Sequence, residues 1–330
     1  MIFYVGTGNG QTTVPDAKQK KIDSVKAAYL DNFAIRYPIL RQGAISTDVI
    51  GNANTNSLLY GNPLYKGKVS IVRERANFYI PLAKWGKNSM VASINYLNQR
   101  FDINHVQSFN PQFPVQDSKF SKAEVGFSVT YSRGDSLFNK PVIYSGTVSG
   151  FTNELSSVER VNYLGSIVFP LSRTATTSYS LGLVVIIDPS TPSPVLPVFS
   201  YWHKFQASDL ELYVDLPTRI SLRKQLSPKS WASFGTELGG AFSFLSLTNQ
   251  SIVPQDDTYS TLELKTGPTF EYMVSKKIIF GVTGGMFSTL TSRVFKRNTS
   301  ANDYFIRNNN SSAPFVNFTI SFLPFFRTNK

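Results

Sequence analysis

The sequence predicts an all-β fold, a single antiparallel transmembrane β-barrel of about fourteen strands, on the strength of three observations. Apolar and small polar residues alternate along most of the chain, which is the two-residue period of a strand with unlike faces. The links between these segments alternate between short and long, as they do in barrels with tight turns at one end and loops at the other. Charged residues make up only 16% of the chain against a usual share of about 25%, while aromatic residues reach 14%, which suits a surface that is partly out of water.

The first 32 residues do not share this pattern. They begin MIFYVGTGNGQTTVPDAKQKK, a brief apolar run followed by a Lys-rich segment. An intact secretory signal has a basic start and an apolar stretch of about 7 to 15 residues. We therefore assign residues 1–32 to an N-terminal segment, either the remnant of a truncated signal peptide with a periplasmic extension or an ordinary disordered start. Within it, Lys21 to Leu30 has a helical period. Residues 33–330 are assigned to the barrel.

Fourteen segments with the strand period follow. The first of them and the pair around Pro217 are the weakest, so twelve strands is the alternative count. Pro268 falls inside a segment, where a bulge would accommodate a residue that cannot donate to the ladder. The predicted strands are 40–50, 68–82, 89–103, 119–133, 141–152, 159–171, 177–187, 195–206, 209–216, 218–226, 230–246, 259–274, 277–294 and 315–326.

The links between predicted strands differ in length in a regular way. They are short at Ser227 to Lys229 and at Ser275 to Lys276, and long at 104–118, 248–258 and 295–312. An even number of antiparallel strands returns the chain to the side on which it started. The pattern therefore predicts short periplasmic turns and longer external loops.

The apolar faces of the predicted strands are expected to contact lipid. The terminal strand shows this most clearly, because its apolar residues alternate with Asn317, Thr319 and Ser321. Aromatic residues near strand ends are expected at the membrane interfaces. The lipid-facing residues of the terminal strand are Val316, Phe318, Ile320 and Phe322; those of 230–246 are Phe234, Leu238, Phe242 and Phe244; and the interfacial residues are Tyr79, Trp85, Trp202 and Trp231.

The opposite faces carry charges of both signs. A soluble β-core filled by such faces would bury many charges at a cost of several kcal/mol each, whereas a water-filled or ion-paired lumen tolerates them. These residues could line a solute pathway, or they could hold a narrow barrel together by internal salt bridges. The lumen candidates are Arg73, Arg75, Glu211, Asp215, Arg219, Arg223, Glu237, Glu263, Lys265 and Glu271.

Several classes of function are disfavoured by the residues present. No run approaches the ~18 apolar residues of a membrane helix, and the chain has no cysteine for disulfides or thiolate metal sites. Neither histidine, His105 or His203, has a serine two residues away on the same strand face. Asp256 and Asp257 stand without further carboxylates. We therefore expect no enzyme, no metal and no cofactor. The charge of +12 is scattered, so we expect no nucleic acid partner.

The chain resembles the uncharacterised outer-membrane β-barrel families of Bacteroidota over roughly residues 40–326. The resemblance rests on NGQ near the start, on ANFYIPLAKWGKNSMVASINY, on the central PVLPVFSYWHKFQASDLELYVDLPTRISLRKQLSPKSWASFGTELGGAF and on the closing aromatic strand. It implies a bacterial outer-membrane location, contact with outer-membrane lipid, and a terminal strand read by the barrel-assembly machinery. It implies no catalytic residue.

The functional expectation is a porin-like passive pore or a structural barrel with a charged lumen. The alternative is a non-conducting barrel that anchors or scaffolds a partner complex through its long loops. A soluble β-sandwich is also left open by the sequence.

Overall fold

The computed structural model describes residues 28–154, 157–191, 193–247 and 252–325, and it divides the chain into two compact units. The first unit, Met1–Arg41, is helical over residues 28–36 and has a 3-10 helix at Pro38–Leu40. In it, Arg41 Nε donates to the backbone oxygen of Ala34 at 3.2 Å. The signal-peptide remnant and most of the predicted helix fall on residues 1–27, outside the described residues.

The second unit, Gln42–Lys330, is a closed antiparallel barrel. Strands that are neighbours in the sequence pair with each other, except for the last two, and the first strand pairs with the last to close the sheet. The strands are β1 Gly43–Leu59, β2 Asn62–Trp85, β3 Asn88–Ser108, β4 Ser118–Leu137, β5 Lys140–Thr152, β6 Arg160–Arg173, β7 Thr177–Ile187, β8 Val195–Lys204, β9 Leu210–Leu216, β10 Arg219–Ser227, β11 Ser230–Leu245, β12 Asp257–Ser275, β13 Ile278–Lys296, β14 Tyr304–Asn310 and β15 Ala313–Phe322.

The last two strands occupy one position in the wall. Both β14 and β15 lie between β13 and β1. Their register against β1 is continuous, since Thr55 lies opposite Asn310 and Ile50 opposite Phe315. The chain between them is therefore one interrupted strand, and the barrel has the predicted fourteen positions plus one extra strand. β15 ends at Phe322, and Phe326, the last residue of the predicted strand, lies outside the described residues.

The two ends of the barrel differ in their links. The end that holds the start of β1 and the end of β15, here called the turn end, has short connections, from two residues at 86–87 and 276–277 to five at 205–209. The opposite loop end carries 109–117, 153–159, 188–194, 246–256 and 297–303, together with two tight turns at 60–61 and 217–218. The predicted external loop 295–312 was too long, because it contains β14.

The barrel wall is much taller on one side than on the other. β2 has 24 residues and β3 has 21, whereas β9 has 7 and β10 has 9. A strand crosses a membrane with about 9–11 residues, so the tall strands continue beyond it at the loop end. There the faces are exchanged by a register shift in β1 between Ile50 and Ala53.

Beyond that shift the outer face is polar and the inner face is apolar. Asn52, Asn54 and Asn56 point outward and are exposed. The inner faces of the tall strands, together with β14 and the loop residue Val253, form two buried apolar clusters. The first contains Ile50, Ala53, Ile71, Phe101, Phe287, Ala313 and Phe315, and the second Leu59, Leu64, Val253, Val294, Phe305 and Ile306.

The outer face of the barrel proper is apolar and exposed. Val316, Phe318 and Ile320 of β15 are 40%, 46% and 45% exposed, while Phe322 is partly buried. β7 repeats the pattern with Leu181. The apolar belt can contact lipid, and because the sheet is closed the strands can pair their backbone N–H and C=O groups with one another. Among the described residues, no helix is long and apolar enough to span a membrane.

Four aromatic residues do not lie where the sequence predicts them. Trp202, Trp231 and Phe244 are buried, and Phe242 contacts Phe151 inside the barrel instead of facing lipid. The Arg223 guanidinium lies over Trp231, with its Cζ atom 5.0 Å from the centroid of the Trp231 ring. Trp85, by contrast, is exposed at the turn end. Aromatic position along a strand therefore did not distinguish an interfacial residue from one that packs inside.

The predicted bulge at Pro268 is wrong. The register between β12 and β13 is the same before and after it, with Thr266 opposite Met286 and Thr269 opposite Thr283. The strands instead come close together at glycines: a Cβ on Gly267 would lie 1.9 Å from the backbone oxygen of Gly284. Glycines, which have no side chain, allow the close approach of the two strands here, and no residue is inserted into the ladder.

Candidate functional site in the barrel lumen

A fully buried ion pair crosses the lumen between β2 and β12. Arg73 Nη1 and Nη2 donate to the two carboxylate oxygens of Glu263 at 2.6 and 2.7 Å. The side chains are 0% and 3% exposed. Thr261 Oγ1 donates to Glu263 at 2.5 Å, so the carboxylate has a third donor. Two parallel charge-assisted bonds of this kind fix both side chains in one geometry.

A second carboxylate, Asp48 of β1, collects three donors. Arg75 Nη1 and Lys265 Nζ each approach one of its oxygens at 2.6 Å, and Asn317 Nδ2 donates at 2.8 Å. Asp48 is 1% exposed, whereas Arg75 is 32% exposed. One carboxylate therefore serves two cations, of which one is still reached by solvent.

The first apolar cluster packs directly against these ion pairs. The Arg73 guanidinium lies 5.9 Å from the ring centroid of Phe287. Lys265 Nζ lies 5.7 Å from the ring centroid of Phe315. The charges are thus covered on the loop-end side by apolar side chains, which keeps water away from them on that side.

β3 and β4 also contact β11, although β5 to β10 separate β4 from β11 along the sheet. Arg73 Nε donates to Gln99 Oε1 at 2.8 Å, and Gln99 Nε2 donates to Ser243 Oγ at 2.8 Å. The backbone N–H of Phe244 donates to Glu124 Oε1 at 3.3 Å. Opposite walls of the barrel therefore meet inside it.

Further contacts between the walls lie nearer the loop end. Phe151 of β5 and Phe242 of β11 meet edge to face, with ring centroids 5.0 Å apart. The Arg160 guanidinium lies 5.3 Å from the Phe242 centroid, and Arg160 Nε donates to Asp188 at 3.0 Å. Arg297 pairs with Glu159 across the same region. These contacts join β5, β6 and the loop 153–159 to the β11–β13 wall.

The short strands explain how β11 reaches the other wall. β10 begins at Arg219, opposite Glu237, so β11 from Gly239 onward pairs with β12 alone. Its other backbone edge is free to approach β4. Phe244 N–H, which would pair with a longer β10, instead donates to the Glu124 side chain. The backbone donor is thereby satisfied without a neighbouring strand.

The sequence-predicted lumen residues form two groups and not one ring. Arg73, Arg75, Glu263 and Lys265 belong to the cross-lumen cluster. Near β9 and β10, Arg219 Nη2 contacts Asp215 at 2.6 Å and Arg223 Nη2 contacts Glu271 at 3.3 Å. Glu211 accepts a short hydrogen bond from Tyr213, and Glu237 is exposed opposite Arg219. This second group lies along one wall.

Four residues of the cross-lumen cluster were missed by the sequence reasoning: Asp48, Gln99, Glu124 and Ser243. Asp48 and Glu124 occupy the polar phase of their strands, so the alternation that identified Arg73 could have found them. Gln99 and Ser243 carry no charge and give no such signal. Their importance comes from contact across the barrel, which no local pattern encodes.

The lumen towards the shorter strands is lined by hydroxyl groups that pair between neighbouring strands. We call these residues the hydroxyl belt. They are Ser93 with Ser128 at 2.6 Å, Thr130 with Thr147 at 2.8 Å, Ser145 with Ser166 at 2.7 Å, and Ser200 with Asp215 at 2.5 Å.

A buried carboxyl lies at the loop end, at the start of β12. Asp257 is 0% exposed, and neither of its oxygens has a hydrogen-bond partner in the part of the chain that the structure describes. Burial raises the pKa of Asp257 to about 7, the neighbouring Asp256 adds to the rise, and Arg297 opposes it. No group of metal-ligating side chains that could hold an ion occurs among the described residues.

No family model and no curated protein sequence matches the chain. Among solved structures it is similar to an outer-membrane channel from Pseudomonas putida F1, with a TM-score of 0.37 and 7% identity over 86% of this chain and 96% of that one. For the Pseudomonas putida toluene transporter TodX the values are 0.32 and 9%, over 85% and 88%. For the outer membrane protease OmpT from Escherichia coli they are 0.19 and 10%, over 86% and 95%. Similarity at this level does not bear on activity.

The location follows from the barrel itself. A closed antiparallel sheet with an exposed apolar belt, tight turns at one end and loops at the other is the architecture of bacterial outer-membrane proteins. The protein is an outer-membrane β-barrel. By the same rule the turn end faces the periplasm and the loop end faces outward.

Proposed function

We propose that this protein is a barrel that is closed at rest and does not conduct as an open passive pore. The observation that carries the proposal is the contact between opposite walls, through Arg73 with Glu263 and Glu124 with Phe244. An open pore leaves its lining charges in water. Here the pair at the centre is covered by apolar side chains and held by bidentate hydrogen bonds.

The role that fits a closed barrel best is anchoring. The tall strands carry a structure with its own apolar core beyond the membrane, and the loops 109–117, 246–256 and 297–303 lie at the same end. We propose that this outward part contacts a protein partner, while the apolar belt contacts outer-membrane lipid. The resemblance in sequence supports two further proposals, insertion by the barrel-assembly machinery and membership of the Bacteroidota barrel families.

We propose that the protein is not an enzyme and does not bind nucleic acid. His203 Nδ1 lies 2.8 Å from the Thr177 hydroxyl on the adjacent strand, and among the described residues no carboxylate contacts the imidazole. A hydrolytic site would need a base that is itself oriented by a third group.

Single-channel recording of the detergent-refolded protein in a planar bilayer tests the proposal. The expected result is insertion without conductance steps. Steady open conductance of the wild-type protein, with an ion preference reversed in the Arg219→Glu, Arg223→Glu double variant, would contradict it and would favour the porin-like reading. Insertion is checked separately by the heat-dependent electrophoretic mobility that folded barrels show.

A second candidate function is gated passage of a small solute. The hydroxyl belt favours it, because its paired hydroxyl groups give a polar wall in which Asp215 is the one charged member. In this case an Arg73→Ala, Glu263→Ala variant would conduct while the wild-type protein stays silent. A purely structural barrel would show no conductance in either the wild-type protein or the variant, because the other contacts between its walls would keep the lumen closed.

A further inference from the structure

A group of cations lies on the outer face of β13, β14, β1 and β2, at the loop end. Arg293 of β13 is directly opposite Arg307 of β14. One row further along β14, Asn56 of β1 lies between Asn309 and Lys66. Side chains that are opposite each other in a sheet share a face, so these residues form one surface. We call it the basic patch, and it consists of Arg293, Arg307, Lys66, Lys68, Asn56 and Asn309.

The cations of the basic patch lack carboxylate partners. Among the described residues, none of the four forms an ion pair. Arg293 Nη1 donates to two neutral acceptors, the backbone oxygen of Ala301 at 3.3 Å and Asn302 Oδ1 at 3.1 Å. On the adjoining outer face of β2 to β4 the cations are paired, Arg100 with Glu74 and Lys119 with Asp102. The basic patch therefore keeps its positive charge.

The two arginines stand beside a break in the pairing of the wall. β13 pairs with β14 as far as Arg293 and with β15 only from Phe287 onward, and the described residues between these points form no backbone pairs across the break. A cavity of about 130 Å3 lies there, lined by both arginines and by hydroxyl and amide residues such as Thr291 and Asn308. Like charges directly opposite each other destabilise a sheet, and an anion between them removes the repulsion.

An open polar groove of about 550 Å3 continues from this cavity over β14, β1 and β2. The two share Asn309 and Asn310. The groove is also lined by Asn54, Asn56 and Lys66. Amide side chains both donate and accept hydrogen bonds, as the hydroxyl groups of a sugar do. A site for an anion therefore adjoins a surface that suits a saccharide.

The basic patch begins where the apolar belt ends. On β1, Val49 is 46% exposed and the outward Asn52 follows three residues later. On β13, Leu290 is 52% exposed and Arg293 follows three residues later. This border lies at the loop end, which faces outward. The patch is therefore level with the headgroups of the outer leaflet, where basic side chains are attracted to anionic lipid.

We propose that the basic patch binds the phosphorylated sugar headgroup of a glycolipid in the outer leaflet. One phosphate lies between Arg293 and Arg307, and the sugar occupies the groove beside Asn56 and Asn309. Lys66 and Lys68 face a second anionic group of the same headgroup. The inference goes beyond the anchoring role and does not depend on it, because it uses the outer wall at the membrane surface and neither the lumen nor the loops.

Native mass spectrometry of the detergent-solubilised protein tests the proposal by the amount of lipid bound at each lipid concentration. The probes are lipid A with two phosphates, dephosphorylated lipid A, which keeps the sugar, and phosphatidylglycerol, which has a phosphate and no sugar. We expect the phosphorylated lipid A to bind about tenfold or more tightly than either of the others, since a charge-assisted hydrogen bond is worth about that factor. Equal binding of either of the other lipids would overturn the proposal and leave the basic patch to a protein partner.

A pair of double variants locates the site. Lys66→Gln, Lys68→Gln is expected to weaken the binding of phosphorylated lipid A about tenfold. The matched control is Lys84→Gln, Lys140→Gln, which removes the same charge from exposed positions at the turn end and is expected to leave binding unchanged. Equal losses in the two double variants would overturn the assignment, because binding would then follow net charge alone.

Arg307→Gln separates a binding role from a structural one. It relieves the repulsion between Arg293 and Arg307, so the thermal midpoint of the lipid-free variant is expected to equal or exceed that of the wild-type protein, while lipid A binding weakens about tenfold. A lower midpoint with unchanged binding would contradict a phosphate between the two arginines. If a variant does not fold, the comparison of the three lipids on the wild-type protein decides. Conductance plays no part in these tests, so their failure is distinguishable from failure of the anchoring role.

Discussion

Arg73 and Glu263 are 190 positions apart in the chain and form a bidentate ion pair inside the barrel. The pair joins β2 to β12, and Gln99 extends it to Ser243 of β11. Such a pair is expensive to bury, because both charges leave water, and it persists only when its hydrogen bonds are complete. Its position makes it the structural centre of a lumen in which opposite walls touch.

Removing one partner of this pair should be strongly destabilising. Arg73→Gln leaves Glu263 buried without its cation, for which we expect a loss of about 3–5 kcal/mol in the free energy of unfolding. Urea unfolding in lipid vesicles, followed by the fluorescence of the three tryptophans, measures it. The double variant Arg73→Leu, Glu263→Leu should recover most of the loss.

The matched control for that change is an exposed pair on the outer face. Arg100 and Glu74 lie 3.0 Å apart, and their side chains are 60% and 37% exposed. Arg100→Gln should cost less than about 1 kcal/mol. If Arg73→Gln costs no more than Arg100→Gln, the buried pair does not hold the walls together.

The buried Asp257 should make stability depend on pH. Its folded pKa, about 7, lies above its ordinary value of 3.8. The native state therefore keeps a proton that the unfolded chain releases, so stability falls as pH rises between about 4 and 7 and is level above that. Each pH unit corresponds to about 1.4 kcal/mol at most. Unfolding free energies at pH 5 and 7.5 should differ less in Asp257→Asn than in the wild-type protein.

The control for the pH experiment is Asp303→Asn, which changes an exposed carboxyl in the neighbouring loop. It should leave the difference between the two pH values unaltered. A wild-type difference that is equally large in Asp257→Asn would mean that another group is responsible.

The apolar belt predicts that the same substitution costs different amounts of stability at two outward-facing positions, one on β15 and one on β14. Phe318→Arg places a charge in lipid and should cost about 2–4 kcal/mol if it lies near the bilayer centre. Asn309→Arg lies on the outer face of β14, beyond the belt, and should cost little. Urea unfolding in vesicles compares them. Equal effects at the two positions would contradict the assigned depth of the membrane.

The close approach of β12 and β13 should tolerate no side chain. Gly285 has a φ of +151°, and a Cβ on it would lie 2.0 Å from the backbone oxygen of Thr266. Gly285→Ala should therefore lose about 3 kcal/mol. Gly146→Ala, where a Cβ would meet nothing within 4 Å, is the control and should be neutral or slightly stabilising. Thermal unfolding of the two variants distinguishes them, and equal midpoints would show that the strands can separate without cost.

Local patterns predicted the barrel and its lipid face because alternation is a property of consecutive residues. Phe318 and Asn317 are consecutive in a strand, so their side chains point to opposite faces of the sheet, and the apolar one identifies the lipid face. The same pattern placed Arg73 in the lumen but could not pair it with Glu263, since the two residues are 190 positions apart and alternation within one strand says nothing about a distant one. The contact of Gln99 with Ser243 depends on β11 being free to approach the opposite wall, which it is because β9 and β10 are short. That too is a relationship between distant strands.

The sequence also did not reveal the exchange of faces at the loop end. A single register shift after Ile50 converts a membrane strand into one with a polar outside and an apolar inside. Strand period alone is identical on both sides of the shift. For the same reason β14, which is short and rich in asparagine, resembled a loop, and Trp202 and Trp231 resembled interfacial residues.

The most direct test of the account is a cross-link between the two walls. The chain has no cysteine, so Gln99→Cys with Ser243→Cys gives a unique pair in isolated outer membranes. A short bifunctional thiol reagent should join most molecules of the double variant, visible as a shift in electrophoretic mobility, and none of either single variant. If the two thiols react separately and no cross-link forms, the walls are apart in the membrane and the lumen is open.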